Sequence, residues 1–172
     1  CVNDEIRVVK AQGRLAVLAE KLNGMPPMAS HCGIGHTRWA THGAPSDVNS
    51  HPHCAARVSL VHNGIIENYA QLKEHLMKRG YEFCSEKDPE VRGSYGLAIL
   101  FKDFPGQIFS VRKESPLIVG YGAGENFLAS DIPALLRYTR DYAVLEEGEI
   151  AVLSADKIDV YDAFGHPVQK QH

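Results

Sequence analysis

The sequence predicts an α+β fold with a largely antiparallel sheet system. Three observations carry this. From residue 81 onward the chain is a succession of short apolar runs broken by Gly, Pro or Asp. Segments with helical periodicity are few beside them. And 172 residues of ordinary composition suffice for one packed domain.

The elements follow in chain order. Residues 5–10 (EIRVVK) read as a short strand. Residues 13–23 read as an amphipathic helix with Leu15, Leu18 and Leu22 on one face, ended by the two prolines of MPPM. SHCGIGHTRW is expected to be extended, and residues 43–53 to form a loop. RVSLVHNG is a strand running into an Asn-Gly turn. Asn68 can cap a helix through residue 79, stopped by Gly80. YEFCS, SYGLAILF, GQIFSVRK, PLIVGYG, NFLASD, YAVLEEG, EIAVLS and KIDVYDAF supply the strands, with IPALLRY as a short helix among them.

Composition narrows the function classes. Net charge is −3, and the 18 basic and 21 acidic residues are mixed along the chain. No basic patch points to nucleic acid or an anionic membrane. No apolar run reaches the length of a membrane span, and residues 1–10 are too charged for a signal peptide. Cys1, Cys32, Cys54 and Cys84 form no CxxC pair or disulfide framework, so a reducing cytoplasmic compartment is expected. Cys32 and Cys84 read as small core residues.

Three stretches carry candidate chemistry. The first is a concentration of histidine: His31, His36, His42, His51, His53 and His62 all lie within 32 positions. HPHC places two imidazoles and a thiol in four positions, but no second ligand cluster accompanies it, and the expectation is no metal. His51 and His53 read as structural. The second is HTRWATHG. Arg38 offers a planar fork for a carboxylate, Trp39 an apolar wall, Thr41 and His42 hydrogen bonds, and Gly43 a bend. Such a loop suits a small carboxylate or zwitterion; a solvated surface loop is the alternative. The third is HNGIIEN, where the Asn63 amide and the Gly64 backbone N–H could serve a developing oxyanion. A plain hairpin turn is the alternative there.

Taken together, HTRWATHG, VNSHPH and VHNGIIEN resemble the glutamine amidotransferase domains of glutamine–fructose-6-phosphate aminotransferases, and SPLIVGYGAGENFLASD and VLEEGEIAVL resemble that domain's later strands. The resemblance implies an N-terminal-nucleophile hydrolase fold, a four-layer α-β-β-α sandwich with largely antiparallel sheets. It implies hydrolysis of the glutamine side-chain amide through a cysteine thioester, with the α-amine as base, as the ammonia-supplying half of amino sugar synthesis. Asn63 and Gly64 would form the oxyanion hole. Arg38 would hold the glutamine carboxylate, Trp39, Thr41 and His42 would line a closing loop, and Asp88 would pair with the substrate's α-amine. No cofactor is implied. The partner is a sugar-phosphate isomerase domain that binds fructose 6-phosphate, in a full-length homodimer.

The chain also departs from the family's pattern. Cys1 is followed by VNDEIRVVK instead of the family's Cys-Gly-Ile start. Cys1 is therefore either the nucleophile or an ordinary strand cysteine. Lys87-Asp88-Pro89-Glu90 leads at once into Val91-Arg92-Gly93, where the family has a long helix. Residues 1–172 are thus expected to be a single amidotransferase domain short of N-terminal and mid-chain family segments, with the isomerase domain absent. The alternatives to an active glutaminase are a catalytically inactive fragment that lacks the nucleophile but retains glutamine binding and, behind it, a metal-binding module built on the His/Cys residues.

Overall fold

In the computed structural model, residues 5–38, 46–47, 49–55, 57–66 and 93–172 are described. Their frame is two antiparallel sheets. Ten strands build them: β1 (His53–Ala55), β2 (Val58–Ile66), β3 (Gly93–Phe101), β4 (Ile108–Lys113), β5 (Ile118–Tyr121), β6 (Asn126–Ala129), β7 (Tyr142–Val144), β8 (Ile150–Leu153), β9 (Ile158–Tyr161) and β10 (Pro167–Val168). The larger sheet has the order β1-β2-β3-β4-β8-β9-β10, and the smaller the order β6-β5-β7. Every pairing is antiparallel. The expected α+β class and its antiparallel sheets are what the chain adopts.

The core lies between the sheets. Val119 and Ala143 from the smaller sheet, with Leu117 and Leu145 at its strand ends, meet Ala151, Leu153 and Val160 from the larger one. Alternation explains which residues face inward. Along β3, Gly96, Ala98 and Leu100 are buried while the residues between them are less so, the period of two expected of a pleated strand. Polar ties hold the periphery. The Asn126 amide of β6 donates to the Ser154 carbonyl at 2.7 Å, linking one sheet to the strand end of the other. Lys170 closes a largely buried ion pair on Glu149 at 2.5 Å.

Several expectations are corrected. Residues 5–10 make one isolated bridge at Glu5 and are otherwise irregular, because no neighbouring strand among the described residues pairs with them. The expected helix forms as α1 (Leu15–Asn23), but none of its residues is buried and Leu15 stays 66% exposed. Cys32 is only half-buried, so it is not a core residue. IPALLRY gives a single 3-10 turn, Ile132–Ala134, with Pro133 among its first residues. The short strands β1 and β10 carry too few residues to show a period, and the sequence did not reveal them. The expected helix at 68–79 and the strand YEFCS lie outside the described residues.

The largest correction concerns Asn63-Gly64. No turn forms there. β2 runs straight through to Ile66, with Asn63 opposite Gly96 and Gly64 opposite Tyr95 on β3. Gly64 has φ +128°, and a Cβ built on it would stand 1.9 Å from the Ser94 carbonyl oxygen. Asn-Gly is therefore not the hairpin signal it resembles; the glycine permits a close backbone approach inside a long ladder.

Candidate functional site

The site is built where the irregular segment 31–38 crosses the start of the larger sheet. Arg38 ends that segment with φ +36°, a left-handed conformation uncommon for a residue with a Cβ. Its backbone N–H donates to His36 Nδ1 at 2.8 Å. The His36 side chain is in turn hydrogen-bonded to the Asn63 side chain. Arg38 and Asn63, expected to hold a carboxylate and an oxyanion, are thus brought together through one imidazole. Asn63 and Gly64 are both exposed on β2.

Beneath them the histidines of four separate positions pack into one cluster. His51 is its hub, with ring centroids 4.2 Å from His36, 4.7 Å from His53 and 4.7 Å from His62. His53 and His62 are stacked at 5.9 Å and nearly inaccessible. Burial holds His36 below the ordinary imidazole range, and its bond to Asn63 only partly offsets this. Burial also pulls His51 down to about 2, helped by the neighbouring histidines and by the Arg38 charge. His36 and His51 are therefore held in the neutral form at physiological pH. His51 Nδ1 is buried with no hydrogen-bond partner among the described residues.

The ligating atoms of His51, His53 and His62 lie within 4.8 Å of one another. Nitrogens around a tetrahedral zinc sit roughly 3.4 Å apart, given bonds of about 2.0–2.1 Å. The trio therefore has the donors for a metal at a looser spacing. The HPHC run does not act as a unit. Cys54 follows His53 on β1 and so faces the other way, exposed, with its sulfur 3.3 Å from Ser59 Oγ. His62, from β2, takes the place beside His53 instead. Sequence reasoning saw the histidine concentration but read His51 and His53 as structural turn residues. Only the crossing of β1, β2 and segment 31–38 puts four rings in contact.

A cavity of about 680 Å³ opens beside this cluster. Its walls include His36, Arg38 and His51 on one side and Leu15, Leu18 and Leu22 of α1 on another. Of the other expected site residues, Cys1, Trp39, Thr41, His42 and Asp88 lie outside the described residues.

Comparison with known proteins adds to this geometry. Residues 36–137 match the family described as "Glutamine amidotransferase domain". The chain is 47% identical to glutamine–fructose-6-phosphate aminotransferase [isomerizing] of Caldanaerobacter subterraneus over 98% of its own length and 32% of the relative's. Against the protein of the same name from Clostridium perfringens it is 45% identical, with the same coverage. The chain thus spans about a third of the length of these relatives. Among solved structures, a glutamine phosphoribosylpyrophosphate amidotransferase from B. subtilis superposes with a TM-score of 0.58 at 20% identity, covering 74% of this chain and 34% of that one. That likeness bears on the fold alone. No helix among the described residues is long and apolar enough to cross a membrane.

Proposed function

This chain belongs to the glutamine amidotransferase domain family, and from that premise we propose that it hydrolyses the side-chain amide of glutamine to glutamate and ammonia. The observation that carries the reading is the linkage of Arg38, a fork for the substrate carboxylate, to Asn63 beside Gly64, the donors for an oxyanion. In the proposed mechanism Cys1 is the nucleophile, attacking the amide carbon with its α-amine as base. Charge developing on the carbonyl oxygen is met by the Asn63 amide and the Gly64 N–H. Ammonia leaves, and water releases glutamate from the thioester. Trp39, Thr41 and His42 close over the substrate, and Asp88 pairs with its α-amine.

In the full-length protein the ammonia would pass to a sugar-phosphate isomerase domain holding fructose 6-phosphate, giving glucosamine 6-phosphate. The identity to aminotransferases of that name supports this extension. The same reading makes the full-length enzyme cytoplasmic and homodimeric. An alignment of 194 positions against 172 residues supports a domain short of mid-chain family segments.

The test is release of glutamate and ammonia from glutamine, paired with covalent capture by a diazo-ketone glutamine analogue. The label is expected on Cys1. Glutamine binding without hydrolysis or capture would favour the inactive fragment instead. Arg38→Ala should weaken glutamine binding by about 2–4 kcal/mol. Asn63→Ala should lower turnover by roughly 2.7–4 kcal/mol; a change confined to KM would remove Asn63 from the oxyanion hole. A second reading, a metal site, draws on the His51–His53–His62 trio. Stoichiometric metal in the purified protein, lost on His51→Ala, would favour it.

A further inference from the structure

We propose that His36 is a positioning residue that joins the carboxylate grip to the oxyanion donor in one relay, running from the Arg38 backbone through the imidazole to the Asn63 amide. This rests on the glutaminase reading above and deepens it. His36 itself touches no reacting atom in the proposed mechanism.

Arg38 supplies the first half of the argument. A left-handed φ of +36° is unfavourable for an arginine and persists only where the surroundings hold it. The 2.8 Å bond from the Arg38 N–H to His36 Nδ1 is such a hold, two residues back along the chain. It sets the direction in which the guanidinium leaves the segment. Without it the backbone can relax toward an ordinary conformation and carry the fork away from the substrate.

The tautomer supplies the second half. Nδ1 accepts a hydrogen bond, so its lone pair is used and it carries no proton. A neutral imidazole then has its proton on Nε2. In the proposed relay the hydrogen bond between the His36 and Asn63 side chains runs from Nε2–H to the Asn63 carbonyl oxygen, the one ring proton left to donate. This fixes the amide's orientation. With Oδ1 occupied as an acceptor, the NH2 group is turned outward as the donor an oxyanion requires. A reversed amide would present an oxygen to the developing negative charge. The His51 ring, 4.2 Å away by centroid, packs against His36.

Two substitutions separate the arms of the relay. Asparagine keeps an acceptor at the depth of Nδ1 but does not reach Asn63. Glutamine reaches the depth of Nε2 as a donor but gives up the Nδ1 acceptor. In the full-length protein, His36→Asn is expected to lower kcat for glutamine hydrolysis about tenfold or more, with KM within about threefold. His36→Gln is expected to raise KM about tenfold with kcat within about threefold, and His36→Ala to lose on both. A merely structural role would not sort the two parameters this way.

The tautomer is measured independently, by NMR of 15N-histidine-labelled protein at neutral pH, with the proton expected on Nε2. A proton on Nδ1 overturns the proposal even if every variant fails to fold. So does an active wild type whose variants leave both parameters unchanged or lower them together. A wild type that releases no ammonia removes the glutaminase reading, and the relay's role with it, before any substitution is compared.

Discussion

Residues 93–172 and residues 31–66 are held together by different means. The later part is a ladder of strands whose inward residues are Val, Leu, Ile and Ala, with Leu145, Val119 and Ala151 fully buried. Its cohesion is apolar area and backbone pairing, spread over many residues. The described residues of the earlier part include one long strand, one short one and irregular segments. Beside the backbone pairing of β2 with β1 and β3, its contacts are made by particular polar groups: four imidazoles, an arginine held left-handed, and an asparagine bonded to one of the rings. The first arrangement tolerates exchange of one apolar residue for another of similar volume. The second depends on particular atoms, which is what a site requires.

The sharpest way to break the comparison is at the seam, where β2 carries the site on the same ladder as the core. Gly64→Ala should destabilise the protein by more than about 4 kcal/mol, because the new Cβ meets backbone and not a yielding side chain. Denaturant unfolding measures this, and glutamine hydrolysis should vanish with it. A stable, active variant would mean that β2 and β3 do not approach so closely.

Next comes the core itself. Leu145→Ala, at a fully buried position, should lower stability by about 3 kcal/mol. KM for glutamine should be unchanged at temperatures where the variant is folded. A raised KM would show the two regions to be coupled.

Acid tests the histidine cluster. His51 is held at about 2 in the folded chain against 6.5 when free. The unfolded chain therefore binds more protons between those values. Stability is fully present above pH 6.5 and is lost as pH falls below it, by at most about 1.4 kcal/mol per unit and less for a ring not fully buried. Thermal midpoints from pH 8 to pH 5 should decline, and His51→Asn should flatten the decline. An unchanged slope in that variant would assign the acid sensitivity elsewhere.

The smallest effect is expected at the surface. Arg57 pairs with Asp103 in two hydrogen bonds, but the side chains are 63% and 47% exposed. Asp103→Ala should change stability by about 1 kcal/mol or less, and by less still in high salt.

Legibility followed the same division. In residues 93–172 the alternation of apolar and polar residues marked nearly every strand, since a pleated strand with one buried face writes its period into the chain. Only β10, two residues long, left no trace. Around the site, Arg38 and Asn63 were legible as chemistry, because a guanidinium fork and an amide beside a glycine are recognisable in any fold. Their connection was not. Nothing in the spacing of His36 from Asn63 says that one ring would touch both Arg38 and Asn63. Asn63-Gly64 misled outright, since the dipeptide that makes a hairpin turn also suits a close strand crossing, and the local residues are the same in both.

By itself, the sequence determined the class of the fold, most of its strands, and the family to which it is similar. Those are properties of local pattern and of residue identity, and both are present before the chain folds. The tertiary structure alone decided that β2 continues past Gly64, that Cys54 turns away while His62 turns in, and that His36 stands between Arg38 and Asn63. Each depends on which distant backbone passes nearby. Contacts between segments tens of residues apart arise from the packing of the whole sheet, and no window of the sequence contains them.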